Sequence, residues 1–208
     1  MYFSEFKDKI SQLKKRKLGG AKSHEKIMNL VVRQQIFKNI SHRNKAKDSS
    51  VLCLVYPDKN NKSKLVFILR KKSSGHHSGQ IAFPGGKSES FDKNSWQTAL
   101  REAEEEVGIK PDKIIMIKKL TPVYIPVSNY KVQAFLGYTN QRPDFVKQEE
   151  EVEEILEFPL IDFINNRLLS IEKTYFGKTF TLYAFQSGKW KIWGATAMIL
   201  SEIVDLLE

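Results

Sequence analysis

The stretch GGKSESFDKNSWQTALREAEEEVGI, residues 85–109, decides how this chain reads. From Ser95 to Val107 its spacing is helical, and Gly108 supplies a C-terminal stop. At about 100° per residue, Glu102, Glu105 and Glu106 fall within roughly a 100° arc of one face. Leu100, Ala103 and Val107 turn toward a core, and Glu104 points away from the trio. Like charges at this spacing destabilise a helix unless a cation sits among them. Carboxylate oxygens are hard ligands, so the trio suits Mg²⁺ or Mn²⁺. Arg101, one turn before Glu105, is placed to pair with it. Taken alone, the glutamates also fit a solvated acidic face. The Gly85-Gly86 pair tips the balance, because glycine lets backbone approach a ligand closely and present its carbonyls.

Outward from this helix, Val51–Tyr56 and Lys64–Arg70 read as two strands of a hairpin across the turn-rich run from Pro57 to Asn61. A Ser/Gly/His loop over 71–80 leads into a short apolar strand, Ile81-Ala82-Phe83, ending at Pro84-Gly85-Gly86. Lys113–Leu120, Lys131–Tyr138 and Thr179–Phe185 are β-rich, and Ala195–Leu207 reads as a closing helix. Near the start, Phe3, Phe6, Ile10 and Leu13 recur at helical spacing until Leu18-Gly19-Gly20. Residues 39–50 read as a polar connector. Strands in hairpins with helices between them predict an α/β or α+β fold with a mixed sheet. No internal repeat is found.

The 208 residues suit one ordinary domain, and 41% hydrophobic with 28% charged residues is a globular composition. No apolar run is long enough to span a membrane. A single cysteine excludes an internal disulfide framework and a multi-cysteine zinc site. Without an apolar leader core in MYFSEFKDKISQLKKRK, the cytoplasm is the expected compartment. The net charge of +10 is uneven: residues 1–50 carry +9 of it, with Lys14, Lys15, Arg16 and Lys17 in a row. That field suits either a polyanion or a solvated amphipathic helix.

Arg101-Glu102-Ala103-Glu104-Glu105-Glu106-Val107-Gly108-Ile109 matches R-E-U-x-E-E-x-G-U, with U apolar, and so resembles the core of the Nudix box. Gly86 stands fifteen residues before Arg101, one more than the usual box; Lys93 occupies the upstream glutamate position and Asp92 is the nearest acid. That insertion, with Phe83-Pro84-Gly85-Gly86, Asp92 in the spacer and Ala99-Leu100-Arg101-Glu102-Ala103, is similar to the branch resembling coenzyme A pyrophosphatases. The branch's upstream signature, LLTxRSxxxRxHxGxxxFPGG, aligns with VFILRKKSSGHHSGQIAFPGG, residues 66–86. Arg70, His77, Gly79 and the FPGG match, while Ile68, Lys71 and Gly75 replace Thr, Ser and Arg. Ile192–Ala197 is also similar to this branch.

The resemblance implies an α/β/α sandwich with a mixed central β-sheet. It assigns 51–208 to a Nudix hydrolase domain and covers 1–50 only weakly; the periodicity and charge of 1–50 predict a basic N-terminal helical segment packed on that domain. It implies a hydrolase cleaving the diphosphate of coenzyme A or acyl-coenzyme A to 3′,5′-ADP and (acyl-)4′-phosphopantetheine. The alternative is a Nudix hydrolase of another nucleoside diphosphate derivative: an ADP-sugar, a dinucleotide or an NTP. By the same resemblance Glu102, Glu105, Glu106 and the Gly85 carbonyl hold the metal, with Arg101 in the catalytic set. Glu151, nine residues before Leu160, is the late carboxylate, with Glu149 and Glu150 still open. Arg70, His77 and Gly79 are the substrate candidates, His77 being equally suited to capping its loop. Tyr124, Tyr130 and Phe135 suit either an acyl pocket or sheet packing, Trp190 and Trp193 either packing or base stacking, and Cys53 the core. The expected partner is a small coenzyme A-like nucleotide. No membrane span and no nucleic acid are expected, and a homodimer is left open.

Overall fold

The computed structural model describes residues 1–38, 45–72, 79–165, 168–175 and 177–208. Three helices come first: α1 (Phe3–Lys15), α2 (Ala21–Glu25) and α3 (Leu30–Lys38). They precede β1 (Lys47–Pro57), β2 (Ser63–Arg70), β3 (Ile81–Ala82), β4 (Gly85–Lys87) and α4 (Ser95–Val107). Then follow β5 (Ile115–Lys119), β6 (Val123–Ile125), β7 (Tyr130–Tyr138), β8 (Val152–Pro159) and α5 (Leu160–Asn165). The chain ends with β9 (Leu169–Tyr175), β10 (Lys178–Ser187), β11 (Trp190–Ile192) and α6 (Gly194–Leu207).

The central sheet runs β3-β2-β1-β7-β5, with β4 also on β1, β6 on β7 and β8 on β2. β1 and β7 are parallel over Lys47–Val55 against Tyr130–Tyr138, and the other pairs are antiparallel, so the sheet is mixed. Period-two alternation sorts β1 between two layers. Leu52, Leu54 and Tyr56 share a buried cluster with Ala99, Ala103 and Val107 of α4. Cys53 and Val55 join Phe3, Phe6, Phe67, Leu200 and Ile203 in the opposite cluster, under α1 and α6. Helices therefore cover both faces, giving the α/β/α sandwich with a mixed central sheet. A separate antiparallel sheet, β11-β10-β9, lies outside it.

The N-terminal segment packs into this core through Phe3, Phe6, Leu13 and Ile27. Polar contacts reinforce it: Lys9 Nζ donates to the Leu207 carbonyl at 3.0 Å and Arg16 Nη1 to that of Leu206 at 2.9 Å. Glu202, fully buried, accepts from Gly20 N–H at 2.7 Å, Thr121 N–H at 2.8 Å and Thr121 Oγ1 at 2.7 Å.

Several boundaries differ from the sequence reading. Of the connector expected over 39–50, residues 39–44 lie outside the described set, and β1 already begins at Lys47, so a division at residue 50 falls inside a strand. The chain does not simply end a strand at Pro84-Gly85-Gly86: β4 pairs Gly85 with Val51 and Lys87 with Ser49. The short strand read between Trp190 and Trp193 is β11, whereas β6, β8, β9 and helices α2, α3 and α5 carried no clear periodic signal. Among the described residues, no helix is long and apolar enough to cross a membrane.

Candidate active site

Helix α4 begins where Asn94 Oδ1 accepts the Gln97 N–H at 3.0 Å, and it ends at Gly108, whose φ of 72° is left-handed. These local signals are the ones expected for a helix start and stop. Between them the helix lays Ala99, Ala103 and Val107 on the sheet and carries its glutamates toward the Gly85 bend. A Cβ on Gly85 would overlap Val51 and the Ser50 carbonyl, and one on Gly86 would overlap the Glu102 carboxylate. Glycine is thus required at position 85, where the overlap is with the backbone of β1, whereas at position 86 the Glu102 carboxylate, the end of a flexible side chain, is all that would have to move.

Glu106 is the most enclosed of the α4 glutamates, at 2% exposure. Its Oε2 accepts the Gly85 N–H at 2.8 Å and its Oε1 faces Arg70 Nη1 at 3.2 Å. Burial pushes its pKa up to about 7, against the opposing pull of Arg70 and the Gly85 N–H. Burial also raises that of Glu102, which Arg101 partly offsets. Glu105 is the exposed member; Arg101 Nη1 donates to it at 2.9 Å.

Arg101 is the hub of the cluster. Besides Glu105, it lies 3.0 Å from Glu102 Oε1 and donates to the Lys87 carbonyl at 3.0 Å. Its Nε and Nη2 donate to the two oxygens of Asp92, each at 3.1 Å. Asp92 also accepts from Thr98 Oγ1 at 3.0 Å and Glu89 N–H at 2.9 Å, and the Arg101 guanidinium above all holds its carboxyl below the usual range. Sequence reading noticed Asp92 as the acid nearest a missing glutamate and as the spacer Asp of the branch's box, but gave it no role. Its role is to orient the arginine that orients two glutamates. Asp92→Asn is therefore expected to lower both Mn²⁺ affinity and turnover by about 10-fold, as loss of an outer orienting group does. Parallel Mn²⁺ titration and kinetics check this.

The opposite wall comes from β2 and β8. Their pairing sets Leu69 against Glu154 and Arg70 against Val152, leaving Glu153 of β8 as the extra residue of a bulge opposite that step. The Lys71 N–H donates to the Glu151 carbonyl at 2.9 Å, and Arg70 Nη2 lies 3.8 Å from Glu151 Oε2. Of the three late glutamates, Glu151 lines the cavity beside Glu102, while Glu149 pairs with Lys147 at 3.0 Å. Gly79 takes a left-handed φ of 65° where the chain turns into β3, and its neighbour Gln80 lines the cavity. His77 lies outside the described residues.

Among the described residues, no three carboxylate, thiol or imidazole groups converge as a formed metal cage. Two guanidiniums divide the acids, Arg101 holding Glu102 and Glu105 and Arg70 holding Glu106 and facing Glu151. The donor set still fits a hard divalent cation. Glu106 and Glu102 meet the glycine bend, one at the Gly85 N–H and the other against Gly86, and Glu106 is buried at a cost that a cation would relieve.

A cavity of about 570 Å³ opens from this cluster. Arg70, Lys71, Lys87, Glu102 and Glu151 form its charged part; Val123, Ile125, Tyr130, Trp193 and Met198 form an apolar wall. Tyr124 lines it as well. Phe135 does not belong with these residues: it is buried under α4, 5.3 Å edge-to-face from Trp96. Trp193 borders the cavity with Lys173 4.2 Å over its ring, whereas Trp190 packs on the core. Cys53 is fully buried.

Residues 46–177 match the NUDIX domain family. The chain is 29% identical over 165 residues to Nudix hydrolase 15, mitochondrial, of Arabidopsis thaliana; the match covers 76% of this chain and 58% of the plant protein, little more than half of that relative's length. It is 31% identical over 140 residues to the Nudix hydrolase NudL of Pectobacterium atrosepticum, covering 67% of this chain and 72% of NudL. Among solved structures it is similar to a MutT/nudix family protein of Enterococcus faecalis, with a TM-score of 0.54 at 16% identity over 92% of this chain and 76% of that one. A MutT protein of Methanosarcina mazei Go1 gives a TM-score of 0.52 at 16% identity over 79% of this chain and 96% of that one. The two structures are likenesses of fold. Because the family match takes in both the glycine bend and the acidic helix facing it, the chain belongs to the Nudix family.

Proposed function

We propose that the protein hydrolyses the diphosphate of coenzyme A or an acyl-coenzyme A, releasing 3′,5′-ADP and (acyl-)4′-phosphopantetheine, in the presence of Mg²⁺ or Mn²⁺. The observation that carries this reading is the two-part cavity. It joins an acid-and-arginine cluster, suited to a diphosphate, to an apolar wall suited to a long, thin, largely uncharged arm.

In this reading Glu102, Glu105, Glu106 and Glu151 hold the cation together with the Gly85 carbonyl. When bound, the cation neutralises diphosphate charge and makes a water more acidic. Arg101 keeps two of the glutamates oriented from its anchor on Asp92. Arg70, a third exposed at the end of β2, is the candidate to grip a phosphate oxygen as it leaves Glu106. Glu151 is the candidate general base, since it faces the same space. The buried sheet beneath Gly85 keeps bulk water from one side of the reacting groups. A cytoplasmic setting belongs to this proposal, and pairing with a second copy stays open.

The test is product identification on a panel of coenzyme A, acyl-coenzyme A, ADP-ribose, diadenosine polyphosphate and NTPs with Mg²⁺ or Mn²⁺. The expected result is 3′,5′-ADP and phosphopantetheine from coenzyme A. Cleavage of ADP-ribose or NTPs with coenzyme A untouched would shift the assignment to another nucleoside diphosphate derivative.

A further inference from the structure

The family match begins at residue 46, yet the cavity wall includes Met28 and Arg33, which precede it. Their position is well tied down. Ile27 is buried, and its carbonyl accepts the Tyr183 N–H of β10 at 2.9 Å. Asn29 Oδ1 accepts the Val32 N–H at 2.9 Å in the first turn of α3. Met28 and Val32 pack with Tyr175 and Trp193 against Phe180 and Leu182. Upstream, Lys26 pairs with Asp205, and Ser23 Oγ donates to the same carboxylate at 2.6 Å. Arg33 is thus carried to the cavity by a braced helix, from an element separate from β2 and α4.

The charges of the cavity fall into two groups. Arg70, Lys71 and Lys87 lie with the acids Glu102 and Glu151, where the diphosphate is expected. Arg33 enters from α3, the helix whose Val32 packs in the cluster with Tyr175 and Trp193. A guanidinium presents a planar fork that matches a phosphate in two-point contact. We propose that Arg33 is a specificity residue that binds a phosphomonoester carried on the nucleotide in addition to its diphosphate. The N-terminal segment then selects among substrates sharing the same scissile bond. This inference rests on reading the cavity as a nucleotide site.

The test uses a matched pair, coenzyme A and 3′-dephospho-coenzyme A, which differ only in the phosphomonoester. Calorimetric binding of adenosine 3′,5′-bisphosphate against AMP runs in parallel. The full-length protein is expected to prefer the phosphorylated member of each pair by about 10- to 100-fold, the size of a lost charge-assisted contact, and in turnover through KM rather than kcat. Arg33→Gln is expected to bring both ratios close to one, and Arg33→Lys to retain part of the preference. No preference in the wild type, or an equal preference in Arg33→Gln, overturns the proposal. If neither coenzyme is hydrolysed while the bisphosphate preference still depends on Arg33, the inference stands and the assigned substrate falls.

Discussion

Glu106→Gln is expected to lower turnover by about 10³-fold, several kcal/mol of transition-state stabilisation being carried by the charge it helps to gather. The same change is expected to make the metal-free protein more stable at pH 8. Burial raises the Glu106 pKa from its ordinary value to about 7, so the folded chain holds a proton that the unfolded chain has released. Stability therefore falls as pH rises from about 4.5 to about 7, and the full cost of the buried charge is present above that window. In Glu106→Gln the amide oxygen still serves the Gly85 N–H, and Arg70 turns toward Glu151, 3.8 Å away. A net gain of roughly 1–2 kcal/mol is expected at pH 8 in EDTA, vanishing near pH 4.5. Thermal unfolding across that range reads it. Such a loss of activity with a gain of stability is the signature of a group held against its own preference for water.

The second large effect is expected at Glu202, far from the chemistry. Its fully buried carboxylate satisfies three donors, Gly20 N–H, Thr121 N–H and Thr121 Oγ1, at 2.7–2.8 Å. Glu202→Ala leaves these donors without their acceptor and opens a void in α6. At about 1–3 kcal/mol for each orphaned buried group, a loss of about 3–5 kcal/mol is expected. Because Gly20 belongs to the N-terminal segment, that segment is the part expected to loosen first. The measurements are the urea midpoint and proteolysis within residues 16–28. An unchanged midpoint would show that the N-terminal segment is held without the Glu202 hydrogen bonds.

Legibility in the sequence followed locality. Helix α4 was readable from Ser95 to Val107 because its determinants are close together: the apolar spacing and the Gly108 stop. The glutamate trio shares a face for the same reason, as a property of a single helix. Strand β8 escaped because Glu153, Glu154 and Glu157 interrupt its apolar residues, so the acids read as loop while Val152, Leu156 and Phe158 are buried against the sheet. Pairing with β2 reveals it, and pairing is a long-range fact. The partition of the acids was also hidden. Nothing near Glu106 in the chain announces that Arg70 and the Gly85 N–H meet its carboxylate, or that Arg101 reaches back to Asp92. Resemblance supplied the identities of the site residues, and the fold supplied which of them hold one another. Arg33 in the cavity wall had no sequence signal at all, because its place depends on α3 docking against β10 and Trp193.

The central claim is that the acidic face of α4, closed by the glycine bend, binds a divalent cation. Mn²⁺ titration of the full-length protein, followed by the loss of the free-ion paramagnetic resonance signal, tests it most directly. Saturable binding in the wild type, weakened at least ten-fold in Glu106→Gln, is the result predicted here. Equal binding by the two proteins, or none by either up to millimolar Mn²⁺, would contradict it.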